Sequence, residues 1–212
     1  VAANVPRFEQ GKFGKAVIVE EGTTNLLSNP LFDTKASWTL STNGGGVFTV
    51  ENNWGKLTKG IGTYDFVRQS ISRSGASGDK YTFQVKFKNN ITGQVTIRAG
   101  CIGAGETANK LTFDGTGGYI VASVTHTAIA GYTQVYADIS IGTIYGHNSP
   151  ADYAEFSFTQ LEAKPYATSF IDGTRATETL TIPTSGVLNP QEGTIEFWWC
   201  PINQPASTMT GS

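Results

Sequence analysis

The chain has 212 residues, with 15 Lys and Arg against 17 Asp and Glu, a formal net charge of −2, and only 15% charged residues. That length suits one generous β domain, or one domain with pieces of others. The place of charge is taken by 25 Gly together with Thr, Ser and Asn, the composition of a many-turned β protein. The slightly acidic balance argues against a nucleic-acid partner, which normally needs a basic stripe, and no apolar run is long enough for membrane insertion as a helix.

The N-terminus, Val1-Ala2-Ala3-Asn4, has neither the basic nor the apolar region of a signal peptide. Starting without Met, it reads as an excised fragment. Residues 6–15 are Gly-spaced and read as loop, and residues 17–20 as a short strand stopped by Gly22. Pro30 is expected to bias Asn29 to an extended conformation. Trp38-Thr39-Leu40 and residues 47–50 flank Asn43-Gly44-Gly45-Gly46 and read as a hairpin. Phe32 and Trp38 are assigned to the core.

Residues 65–71 and 79–88 are the centre of the pattern. From Tyr81 to Phe87 every odd position is apolar or aromatic, and every even position from 82 to 88 is polar or charged. A period of two over that length makes a strand with one buried and one wet face. The turn Ser74-Gly75-Ala76-Ser77-Gly78 predicts antiparallel pairing between the two runs. Further strands are expected at 95–99, 110–113, 119–127, 133–141 and 153–161, the last with Ala154, Phe156 and Phe158 on one face. Residues 166–175 read as a strand running into a connector, and 193–200 as one aromatic-rich strand that joins the main sandwich, by pairing with residues 17–20, or opens a second domain. No 3.6-residue apolar period extends beyond two turns. Eight or more short strands with turns every 8–12 residues predict an all-β chain, an antiparallel β-sandwich of jelly-roll type.

Cys101 and Cys200 are the only cysteines, either one disulfide or two buried thiols. His126 and His147 stand in no metal or triad spacing. Gly100-Cys101-Ile102-Gly103-Ala104-Gly105 echoes a nucleotide-binding loop, but no helix follows to supply an anion-binding N-terminus. Asp65, Asp138, Glu155 and Glu196 lie far apart along the chain, so paired carboxylates for glycoside cleavage are not suggested, and the chain is read as a non-enzyme.

Glu20-Glu21-Gly22-Thr23-Thr24-Asn25-Leu26-Leu27 and Gln160-Leu161-Glu162-Ala163-Lys164-Pro165-Tyr166-Ala167-Thr168-Ser169-Phe170-Ile171 resemble the segments that open and close carbohydrate-binding-module-like domains of phage tail and bacterial surface proteins. Between them, Asn29-Pro30-Leu31-Phe32 with Trp38, and Val67-Arg68-Gln69-Ser70-Ile71 with Tyr81-Thr82-Phe83, are similar to the jelly-roll modules of families four, nine and twenty-two. The resemblance covers residues 20–175. Residues 1–19 then form an N-terminal extension or edge strand. Residues 176–212 form a C-terminal strand and tail, or the start of a second sandwich. Glu192-Gly193-Thr194-Ile195-Glu196-Phe197-Trp198-Trp199 and residues 11–16 resemble pieces of a laminin-G or concanavalin-like domain.

The resemblance implies a non-catalytic module that attaches a larger extracellular or virion protein to a polysaccharide or cell-surface glycan, alongside other domains of the parent protein. The alternative is a purely structural or oligomerising module. It also implies a structural Ca²⁺ that pins the first and last strands, with Asn25, Asp33 and Glu162 as oxygen donors; Thr159-Gln160 stands where an acidic pair is usual. Sugar recognition needs flat rings against pyranose faces and polar groups for the hydroxyls, which selects Trp54, Tyr64, Arg68, Gln69, Gln84, Arg98 and Tyr136. Arg68 shares strand parity with Tyr64 and Phe66, whereas Gln69 faces the other way.

Overall fold

Period-two alternation makes most of the strands, and the exceptions mark where a strand is covered on both sides. The computed structural model describes residues 7–11, 14–89, 94–115, 118–142 and 152–179. In chain order the strands are β1 (Arg7–Gly11), β2 (Gly14–Ile18), β3 (Thr23–Thr24), β4 (Thr39–Thr42), β5 (Val47–Glu51), β6 (Trp54–Thr58), β7 (Tyr64–Ser72), β8 (Lys80–Asn89), β9 (Val95–Ile102), β10 (Glu106–Phe113), β11 (Ile120–Thr127), β12 (Gln134–Gly142), β13 (Tyr153–Glu162) and β14 (Thr174–Arg175).

Two compact units divide the chain. One is Gly22–Ala176, and the other combines Val1–Glu21 with Thr177–Ser212. In the second, β1 and β2 form an antiparallel hairpin, and the Glu178 N–H donates to the Glu20 carbonyl at 2.9 Å. The expected strand at 193–200, its pairing with residues 17–20, Cys200 and His147 all fall outside the described residues.

The unit Gly22–Ala176 is an antiparallel β-sandwich of jelly-roll type. Its first sheet runs β10-β9-β12-β7-β4 and its second β11-β8-β13-β6-β5, while β14 pairs with β3 as a short clasp. The inward faces meet in one core. Tyr81, Phe83, Val85 and Phe87 of β8 oppose Val95, Ile97 and Ala99 of β9 and Val135, Ala137, Ile139 and Ile141 of β12. Phe32, Trp38, Phe48 and Phe156 close one end as an aromatic cluster, with Phe32 5.2 Å from Trp38 and 5.1 Å from Phe156 between ring centroids. Each such side chain contributes roughly 1.5–3 kcal/mol by leaving water. Gly55 makes room for this end, since a Cβ there would lie 2.4 Å from the Phe156 ring.

Several expected pairings are corrected. Residues 65–71 and 79–88 do not pair: β7 joins β12 and β4 in the first sheet, and β8 joins β11 and β13 in the second. Two one-sided strands can bury their apolar faces side by side or face to face, and the seven-residue turn is long enough to cross the roughly 10 Å between sheets. Residues 38–40 and 47–50 are likewise not a hairpin, because β4 and β5 belong to different sheets. The Asn43–Gly46 glycines serve close packing instead, and a Cβ on Gly44 would lie 1.9 Å from the Gly62 nitrogen. The hairpin of this region joins β5 to β6 through Asn52 and Asn53, both left-handed (φ 51° and 60°), as a tight two-residue turn requires.

Asn29 is left-handed (φ 52°), not extended. Asn tolerates that region when its amide bonds locally, and here Nδ2 donates to the Thr34 carbonyl at 2.6 Å while Oδ1 accepts from the Asp33 N–H at 2.8 Å. Phe158 leaves the face shared by Ala154 and Phe156. A β-bulge between Phe156 and Thr159 shifts the register, and Phe158 packs instead on Phe170 at 4.7 Å. Of residues 166–175, only Thr174 and Arg175 are in a strand.

Candidate functional site

Register places a row of charge across the outer face of the first sheet. Asp138 of β12 pairs with Arg68 of β7 on one side and Arg98 of β9 on the other. The alternate residues of β12, from Val135 to Ile141, enter the core, so Tyr136, Asp138 and Ser140 face outward. All three are nevertheless buried, because longer side chains from neighbouring strands lie over them.

Asp138 is the fixed point. Its carboxylate accepts from Arg68 Nε at 3.2 Å and Nη2 at 2.9 Å, and from Arg98 Nε at 2.7 Å, with Arg98 Nη2 also 2.7 Å away. Burial pushes its carboxyl up, against the pull of Arg98 and Arg68. Arg68 reaches a second acid, donating from Nη2 and Nη1 to Glu106 at 2.8 and 3.3 Å. The hydrogen bond from Arg68 holds the Glu106 carboxyl below its usual range, opposed by partial burial and reinforced by the Tyr136 hydroxyl.

Tyr136 is the floor under Arg68. The guanidinium carbon stands 3.9 Å from the Tyr136 ring centroid, a stacked cation–π contact. The Tyr136 hydroxyl donates to Glu106 at 2.7 Å; burial, followed by that bond to a carboxylate, raises its pKa. Gly100 makes this possible, since a Cβ there would fall 2.4 Å from the Tyr136 ring and 2.5 Å from its hydroxyl. Beside them, Tyr64 and Phe66 stack at 5.9 Å with half-exposed rings, and Arg68 and Arg98 sit 5.2 and 5.6 Å from Phe66. Arg98 commits Nε and Nη2 to Asp138, and among the described residues none partners its Nη1. The surface thus offers two aromatic rings and one open guanidinium edge, that of Arg98, beside an Arg68 whose edges are held by Asp138 and Glu106.

The structure brings together Tyr64, Arg68, Arg98 and Tyr136 of the seven selected residues. Gln69 is not among them. It points into the sandwich and exchanges hydrogen bonds with the Ser28 backbone, Nε2 donating to the Ser28 carbonyl at 2.8 Å. Trp54 and Gln84 stand on the outer face of the other sheet. Asp138 and Glu106, the two anchors, were not selected from sequence. Asp138 is recoverable from its parity with Tyr136, but nothing in the sequence places Glu106 beside Arg68, because that depends on the β9–β10 register.

The calcium donors do not fit a metal. Both oxygens of the fully buried Glu162 are filled by protein donors: Oε1 accepts from the Thr23 and Thr168 hydroxyls, each at 2.7 Å, and Oε2 from Gln160 Nε2 at 2.6 Å and the Thr168 N–H at 2.9 Å. Asn25 Oδ1 accepts from the Leu161 and Leu27 N–H groups at 3.1 and 3.2 Å. Asp33 is exposed on a loop, and among the described residues no group of three His, Cys, Asp or Glu gathers to hold a metal ion. Elsewhere, Cys101 is a buried free thiol, 3.4 Å from Nε2 of the buried His126. Burial lowers the His126 pKa.

No protein-family model matches the chain, and no curated protein matches it. Among solved structures it is similar to a family 4 carbohydrate-binding module, at 17% identity and TM-score 0.49 over 65% of this chain and 99% of that one. A family 22 xylan-binding domain aligns at 9% identity and TM-score 0.48 over 68% and 97%. The enzymatically active domain of bacteriophage CBA120 tailspike protein 4 aligns at 18% identity and TM-score 0.47 over 65% of this chain and 21% of that one. The jelly-roll assignment stands on the strand order and register of the chain itself.

Proposed function

We propose that the outer face of the first sheet is a non-catalytic carbohydrate-binding surface, by which a larger extracellular or virion protein attaches to a polysaccharide or cell-surface glycan. The observation that carries this reading is the preorganised array of Arg68 and Arg98, fixed by Asp138 and flanked by the Tyr64 and Phe66 rings. Ring faces suit the C–H faces of pyranoses, and the Arg98 Nη1 edge, with the carboxylate of Glu106 beside Arg68, suits sugar hydroxyls. Because these side chains are already held by one another, binding loses little side-chain entropy.

The same geometry argues against glycoside hydrolysis. Asp138 is fully buried and so out of a substrate's reach, and Glu106 is held ionised by Arg68. Neither is poised as the exposed, protonated acid that glycosidases use. A glycan array probed with the wild-type chain and Tyr64→Ala tests the reading. Selective binding that weakens in the variant supports it. A blank across neutral and charged glycans, with a symmetric oligomer in solution, supports the oligomerising module instead.

A further inference from the structure

The outer face of the second sheet is half covered. At one end Thr82, Gln160 and Glu162 are buried, with Lys164, Thr168 and Ile171 bonded to them. Among the described residues the other end is open, and its chemistry differs from that of the first sheet. Trp54 of β6 and Tyr119, just before β11, bring their rings to 4.7 Å. Lys86 Nζ lies 6.0 Å from the Trp54 centroid and 5.5 Å from that of Tyr119, and Lys88 Nζ lies 4.7 Å from Tyr119. In the next row Lys56, Glu155 and Lys88 pair across three strands, and Lys88 meets Glu155 at 2.9 Å. Tyr119 is 43% exposed and the adjoining Val121 is 54% exposed.

Three ammonium groups stand against two carboxylates, Glu155 and the exposed Glu51 that pairs with Trp54 in register, which leaves the patch positive on a chain whose formal net charge is −2. The cations are also interleaved with rings. We propose that this face is a second binding site, for an anionic polysaccharide whose sugar rings stack on Trp54 and Tyr119 while its carboxylates pair with Lys86, Lys88 and Lys56. The two lysine-bearing strands of the Lys56–Lys88 row are separated by β13, a span of about 10 Å. Cations on both sides of the row therefore suit a chain charged at successive sugars better than a single anion. Nucleic acid suits the patch less well, because Glu155 sits in the middle of the row and no basic stripe extends beyond it. The site shares no residue with the face that bears Arg68, so either can fail alone.

The test is calorimetric titration of the full chain with an oligogalacturonate at low ionic strength, repeated with added salt. The expected result is binding that weakens with salt and falls by about fivefold for each of Lys86→Gln and Lys88→Gln, and further in Trp54→Ala. The lysine variants are conservative at half-exposed positions, so folding does not confound them, and neutral-glycan binding at the first sheet is expected to be unchanged in both. No oligogalacturonate binding, or equal binding by wild type and the doubly substituted lysine variant, overturns the proposal. So does a single-stranded DNA oligomer that displaces the oligogalacturonate at equal or lower concentration.

Discussion

Replacing Gly100 by Ala tests whether the ligand surface depends on the seat of Tyr136. The new Cβ would lie 2.4 Å from Cζ and 2.5 Å from the hydroxyl of Tyr136, and 2.5 Å from the Thr107 carbonyl oxygen. Thr107 O belongs to the backbone of β10, so two things have to give: Tyr136 leaves its seat, and the β9–β10 ladder shifts at Thr107. Overpacking of this kind costs about 1–3 kcal/mol, and losing the bond to Glu106 adds about 1.5 kcal/mol. The expected total is roughly 2.5–4.5 kcal/mol. In urea denaturation, with a slope of about 1–3 kcal/mol per molar, the midpoint falls by at least about 0.8 M. Because Arg68 loses its floor, glycan affinity falls in the same variant. Tyr136→Ala combined with Gly100→Ala should cost less than the sum of the two, since the first removes the ring that the second strikes while the contact with the Thr107 oxygen remains. A Gly100→Ala protein within about 0.5 kcal/mol of wild type, with unchanged binding, would show that the seat of Tyr136 does not shape the surface.

Three further outcomes follow from other parts of the structure. Lys59 and Asp65 form a buried pair at 3.3 Å, with Asp65 also bonded to Thr42 and to the Gly60 N–H; Lys59→Met leaves that carboxylate uncompensated and is expected to cost roughly 3–5 kcal/mol in chemical denaturation. The Glu106 pKa is depressed in the folded chain, so its contribution is present above the unfolded value of about 4.3 and is lost as pH falls through the folded pKa. Glu106 is well exposed, which keeps its stability term small and salt-sensitive. Glycan affinity should nonetheless drop on acidification as Arg68 loses one anchor, and Glu106→Gln should flatten that limb. Because the oxygens of Glu162 and Asn25 are filled by protein donors, a chelator should leave the thermal midpoint where it is. A calcium-dependent rise would show that the network rearranges around a metal.

What the sequence made legible was parity. The alternation from Tyr81 to Phe87 places those side chains in the core, and the opposed parity of Arg68 and Gln69 separates the surface from the interior. What it hid was sheet membership. The turns at 43–46 and 74–78 are turns, yet both carry the chain from one sheet to the other, and a local signal cannot tell an arch from a hairpin. The same blindness put Trp54 and Gln84 with Arg68, although they lie on opposite faces of the sandwich. Thr159-Gln160 in place of an acidic pair was the one local hint that the clasp near Glu162 closes by hydrogen bonds. The role of Gly100 is invisible until β9 and β12 are paired, because its neighbour Tyr136 is 36 positions away.

Whether the Arg68 face binds glycan is decided by titrating the glycan that binds best in the array against wild type, Arg68→Lys and Arg68→Ala. Lysine keeps the charge but cannot hold Asp138 and Glu106 at once or present a planar fork. Both variants are expected to stay folded and to lose affinity by about 10–100-fold, with Lys rescuing little of the Ala loss. Affinity unchanged in Arg68→Ala would place the ligand elsewhere on the chain.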